Sequence, residues 1–134
     1  MTYNFEKDPD GGIILVTVQL EGKYTFKMVL DTAASRTTID ATALYMAGYA
    51  IGNALETSTV ETANGIVEVS IVEVDSLTAL GHTVRRIPIQ VYDFLAHGIL
   101  SDYDGLLGLD FFENTVLCID MNNSTINLTY KDEL

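Results

Sequence analysis

From residue 14 onward, apolar and polar positions alternate with a period of two. Ile14, Val16, Val18 and Leu20 alternate with Thr17 and Gln19. Tyr24, Phe26, Met28 and Leu30 then alternate with Thr25 and Lys27. That period predicts two half-buried strands. Glu21-Gly22-Lys23 between them reads as a tight turn. A short strand is expected at Thr37-Thr38-Ile39. Asp40 is expected to cap a short helix through Ala47, and Gly48 to end it. Thr57 to Thr62 and Ile66 to Leu80 read as strands around the turn Ala63-Asn64-Gly65, marked by its Asn-Gly pair. Gly81-His82 should turn the chain, and Val84 to Tyr92 should return it. Residues 93–104 read as a loop and Leu109 to Asn114 as a short helix with Asp110 near its start. Val116 to Met121 and Thr125 to Tyr130 form a last hairpin around Asn122-Asn123. No linker, repeat or low-complexity stretch interrupts the series. The pattern predicts a single, mostly antiparallel all-β domain over 1–134 with two short helices, closed into a small barrel.

Two segments carry candidate chemistry. The strand ending at Leu30 runs into Asp31-Thr32-Ala33-Ala34-Ser35. This places a carboxylate at a strand end, hydroxyls at Thr32 and Ser35, and two small residues that leave access open. Alone, it also fits an ordinary strand-to-loop corner, since Asp and Ser are common in turns. The second segment is Gly105-Leu106-Leu107-Gly108-Leu109-Asp110-Phe111-Phe112. Together the two resemble the retropepsin-like aspartic proteases, of a cellular or bacterial rather than retroviral branch. That family carries an apolar-apolar-Asp-Thr-Gly-Ala loop, a hairpin flap, and an apolar-apolar-Gly segment leading into a short helix. Leu30 to Ser35 match the loop and Leu106-Leu107-Gly108 match the last element. The resemblance spans roughly residues 13–130.

The resemblance implies an endopeptidase. Peptide hydrolysis by this route needs two carboxylates sharing one proton, because like charges that close cannot both ionise; aspartic proteases are the standard instance. The chain offers one Asp-Thr loop. Asp75-Ser76-Leu77 and Asp104-Gly105-Leu106 lack the small-residue tail, and the resemblance gives a bilobed enzyme about twice this length. A homodimer follows, with Asp31 of each copy meeting at a twofold axis. In the family's terms, Asp31 and Thr32 are catalytic, with Thr32 locking the two loops together. Ala33, Ala34, Ser35, Leu107, Gly108 and the flap tip Ala63-Asn64-Gly65 meet an extended polypeptide. The C-terminal strand is a candidate for further pairing between copies. The nucleophile is water, so no cofactor and no metal are needed. Ala33 departs from the family's Gly, so its methyl either crowds the substrate or strains the loop. Ser35, Arg36, Leu109 and Asp110 also replace retroviral residues, so retroviral substrate preferences do not carry over. Ala33 is the feature that keeps open a non-enzymatic alternative, an inactive dimerisation or peptide-binding module. A ligand-holding barrel fits the composition but leaves the paired motifs unexplained.

Composition narrows the partners. A chain of 134 residues that is 48% apolar can bury a core. A net charge of −12 argues against nucleic acid and anionic membrane, which require a basic footprint. No apolar run reaches the roughly 18 residues of a membrane span, and Met1 to Asp8 lack signal-peptide character. Cys118 is the sole cysteine, so no intrachain disulfide forms. These features suit a reducing cytoplasm. The terminal Lys131-Asp132-Glu133-Leu134 and the acceptor patterns at Asn122, Asn123 and Asn127 matter only to a secreted chain, and are read as chance. His82 and His97 are expected to be solvated, away from any zinc site or Cys-His pair. No motif marks Ser35 as a nucleophile, and the acids Asp8, Asp10, Asp102 and Asp104 lack calcium-loop spacing. Phe111-Phe112 and Tyr92-Phe94 are expected in the core.

Overall fold

The computed structural model describes residues 2–7, 12–49, 56–62, 65–94 and 102–130. Its strands are β1 (Thr2–Asn4), β2 (Glu6–Lys7), β3 (Ile14–Leu20), β4 (Tyr24–Leu30), β5 (Thr38–Asp40), β6 (Glu56–Thr62), β7 (Gly65–Ala79), β8 (His82–Tyr92), β9 (Gly105–Leu107), β10 (Thr115–Asp120) and β11 (Thr125–Tyr130). One helix, α1 (Ala41–Met46), follows β5, and a 3-10 turn occupies Leu109–Phe112. Among the described residues, no helix is long and apolar enough to cross a membrane.

The large sheet runs β2-β3-β4-β9-β5-β8-β7-β6. A further pairing of β3 with β7, Gln19↔Thr78 and Leu20↔Leu77, closes β3, β4, β9, β5, β8 and β7 into a barrel. The expected closed barrel is therefore present. It is a mixed one, since β4–β9 and β5–β8 are parallel. A three-stranded sheet, β1-β11-β10, stands beside it.

The alternation reads directly into the core. Val18, Leu20, Met28, Val74, Ile89 and Phe111 are fully buried, while Thr17, Gln19, Thr25 and Lys27 face out. Burying each large apolar side chain contributes about 1.5–3 kcal/mol. Phe112 and Phe94 also join the buried set. Tyr92, half-buried, packs edge-on against Phe94.

Two expectations need correction. Asp40 does not cap α1 with its side chain. Its Oδ1 instead accepts the Phe94 N–H at 3.0 Å, which ties the start of the helix to the end of β8. His82 is buried, not solvated. The turn lies one residue earlier than read, at Leu80-Gly81, with φ of 55° and 73°. His82 therefore opens β8, paired with Ala79, and its ring packs edge-on against Phe111 and Tyr130. His97 lies outside the described residues.

His82 Nδ1 sits 2.9 Å from the Tyr130 hydroxyl, while Nε2 is buried without a hydrogen-bond partner among the described residues. Burial lowers the imidazole pKa from its ordinary 6.5, and the Phe111 backbone opposes that shift without reversing it. The unfolded chain then takes the proton more readily than the folded one. Stability from this group is full above the unfolded value and declines as pH falls below it toward the folded value. As pH falls below about 6.5 the thermal midpoint is expected to drop, and His82→Leu should flatten that part of the profile. An identical slope in the variant would show that His82 takes no part.

Candidate active site

The position of Asp31 follows from strand pairing. β4 runs parallel to β9, Leu30 opposite Leu107. The Asp31 N–H still donates to the Leu107 carbonyl at 3.1 Å, so the ladder carries the acid one residue beyond the strand. The chain then turns sharply, with the Ala34 N–H donating to the Asp31 carbonyl at 3.2 Å. Inside that turn the Ala33 N–H donates to Asp31 Oδ1 at 3.0 Å. Short-range contacts of this kind are why Asp favours turns. One carboxylate oxygen is thus held by the backbone, and the residue stays half-open at the rim.

Its neighbours follow the predicted access. Thr32, Ala33 and Ser35 are exposed and Ala34 is half-buried. The Thr32 hydroxyl has no partner among the described residues. Ala33 does not take a positive φ, so the loop demands no conformation that alanine resists. Its methyl group therefore bears only on what lies against the open side.

Leu107 and Gly108, assigned to the site by sequence, lie beneath this loop. Leu107 is fully buried and reaches Asp31 through its carbonyl. Gly108 passes so close under the loop that a Cβ would stand 2.6 Å from the Arg36 carbonyl carbon and 2.9 Å from the Ala34 oxygen. Only glycine fits without moving backbone. The Leu109 N–H donates to the Ala34 carbonyl at 2.8 Å, fastening the second motif to the first.

The hairpin expected from sequence as a flap is β6–β7, whose ladder reaches Thr62↔Gly65. Ala63 and Asn64 lie outside the described residues. Gly65 and Ile66 are exposed, Ile66 at 76%.

Sequence reasoning missed the lock behind the loop. Thr37 is fully buried immediately before β5. Its Oγ1 donates to Asp110 Oδ1 at 2.7 Å and accepts the Gly108 N–H at 3.1 Å. The Thr37 N–H also donates to both Asp110 oxygens, at 2.9 and 3.1 Å. One hydroxyl, used as both donor and acceptor, therefore ties the Asp31 loop, Gly108 and the 3-10 turn into one unit. The available signal was a polar residue in each motif, Thr37 after the first and Asp110 inside the second. Nothing in local periodicity pairs residues that far apart.

The comparisons agree with this geometry. A family model described as Aspartyl protease matches residues 16–111, which contain both motifs and the hairpin between them. No curated protein matches the chain. Among solved structures, a retropepsin-like aspartic protease from Rickettsia conorii has the same fold, with a TM-score of 0.71 at 21% identity over 97% of this chain and 91% of that chain. With the family match covering most of the barrel, the chain belongs to the retropepsin-like aspartic proteases.

Proposed function

We propose that two copies of this chain build one aspartic endopeptidase site, with an Asp31 from each. The observation that carries the proposal is the single Asp-Thr loop, which presents a half-open carboxylate. Among the described residues no second acid is hydrogen-bonded to the Asp31 carboxylate, whose one bond is from the Ala33 N–H. One carboxylate takes a proton from water, whose oxygen attacks the scissile carbonyl carbon. The other donates its proton to the carbonyl oxygen. As the tetrahedral intermediate collapses, the C–N bond breaks, the leaving nitrogen takes a proton from the dyad, and one of the two hydroxyls returns its proton to the dyad as the product carboxyl forms.

The surroundings support this reading. Thr32, exposed and unpartnered among the described residues, would bond across the twofold axis of such a dimer. Leu109, 47% exposed beside the loop, offers an apolar contact on the same face. The β6–β7 hairpin would cover an extended polypeptide, with Ile66 near its tip. The reducing cytoplasm remains our proposed setting, in keeping with the free, exposed thiol of Cys118. The competing reading, a peptide-binding or dimerisation module without catalysis, rests on Ala33 alone.

A dilution series tests the shared dyad. Specific activity on a peptide pool is expected to fall as the protein is diluted below its dimer dissociation constant, in step with the dimer fraction seen by sedimentation. Constant specific activity from a strict monomer would exclude a dyad built from two chains.

A further inference from the structure

The chain holds only three arginines, Arg36, Arg85 and Arg86, against 19 acidic residues. All three line one groove of ≈ 410 Å³, although two are close to 50 positions from the third. In so acidic a chain, a basic side chain has ample choice of carboxylate partners. Lys27 takes Glu6 at 2.8 Å, and Arg86 reaches Glu73 at 3.3 Å. Arg36 and Arg85 are exposed and make no ion pair among the described residues.

The fold explains why the groove is open. β5 pairs with β8 only from Gln90 to Tyr92. From Val84 to Pro88, β8 runs beyond β5 with β7 on one side alone. Pro88 has no N–H to offer a further strand, and Arg86 takes φ of 54°, which breaks the regular edge. This stretch therefore presents side chains rather than a pairing edge. Across from it stand Ser35 and Arg36, which leave the Asp31 loop directly, so Ser35 belongs both to that loop and to the groove lining. Two acids also line it. Asp110 is committed to Thr37, which leaves Glu113 as the one lining carboxylate with no hydrogen bond or ion pair among the described residues.

On the reading that Asp31 is catalytic, we propose that this groove binds acidic side chains of the polypeptide substrate, away from the scissile bond. Guanidinium groups suit carboxylates because they pair in a fixed two-pronged geometry. The overall charge of −12 disfavours a polyanion such as nucleic acid, which a few local arginines would not offset. A short peptide with two or three acids brings little net repulsion and finds unpaired partners.

Binding by the Asp31→Asn chain separates this inference from the catalytic one, because it requires no cleavage. The probes are a fluorescein-labelled peptide with three glutamates and the same peptide with three glutamines, read by anisotropy at low and high salt. The glutamate peptide is expected to bind roughly five- to tenfold more tightly at low salt, and the preference should shrink as salt rises. In Arg36→Gln/Arg85→Gln the ratio between the two peptides should collapse towards one. Both sites are exposed, and a circular dichroism match to the parent verifies folding. Equal binding of the two peptides, or a preference that survives the double substitution, overturns the proposal. So does a duplex oligonucleotide that competes as well as the glutamate peptide.

Discussion

Asp31→Asn is expected to abolish peptide cleavage, by at least about 10³-fold, while leaving fold and association unchanged. The amide has the shape of the acid, and its oxygen can still accept the Ala33 N–H that now meets Oδ1 at 3.0 Å. The turn from Asp31 to Ala34 uses backbone groups and is indifferent to the change. What the amide lacks is a proton that moves. It neither takes one from water nor gives one to the carbonyl oxygen. Ala33→Gly tests the same site from the other direction. Ala33 is exposed and has no positive φ, so removing its methyl relieves nothing inside the chain. Activity should be kept or raised, because the only remaining effect of the methyl is on a peptide lying against it. The measurement is cleavage of a mixed peptide pool by purified wild type and both variants. Equal cleavage by wild type and Asp31→Asn would show that Asp31 is not catalytic. No cleavage by wild type or Ala33→Gly, at any pH from acid to neutral, would favour the peptide-binding module instead.

The parts of the fold legible in sequence were those that periodicity and turn chemistry encode locally. β3 and β4 alternate as read, and the long β7–β8 hairpin follows its apolar face. β9 was not legible as a strand. Gly105-Leu106-Leu107 is three residues long and wedged between β4 and β5, so it shows no alternation for a period of two to reveal. β1 is no longer than β9 and β2 is shorter, and their partners lie far along the chain or across a turn. The parallel pairings were also hidden, because no tight turn joins parallel strands. His82 was misplaced by a single residue. In a strand that slip moves a side chain from solvent to core. The same division holds at the site. The Asp31 loop was visible because strand, acid and small residues are contiguous. The lock of Thr37 on Asp110 was not, because it exists only after two segments 73 residues apart have met.

That meeting makes Gly108 a demanding position directly beneath the Asp31 loop, and Gly108→Ala is expected to destabilise the chain by about 3 kcal/mol or more. The added methyl would lie 2.6, 2.7 and 2.9 Å from the Arg36 carbonyl carbon, its oxygen and the Ala34 oxygen. Those atoms are backbone, so no rotamer change relieves the contact. Either the Asp31 loop rises or the 3-10 turn sinks. Lifting the loop breaks the Leu109-to-Ala34 bond and the Gly108-to-Thr37 bond together. It also separates Thr37 from Asp110, which leaves a half-buried carboxylate without its protein donors, at a cost of up to about 1–3 kcal/mol. For a domain of this size, whose whole stability is on the order of 5–15 kcal/mol, the loss is a large fraction. Thr37→Val separates the two contributions, since it keeps the volume, removes the hydroxyl and leaves room under the loop. It should cost about 1–3 kcal/mol, less than Gly108→Ala. Urea unfolding of wild type and both variants provides the comparison. If Gly108→Ala unfolds within about 0.5 kcal/mol of wild type, the close passage beneath the loop is not what holds Asp31 in place.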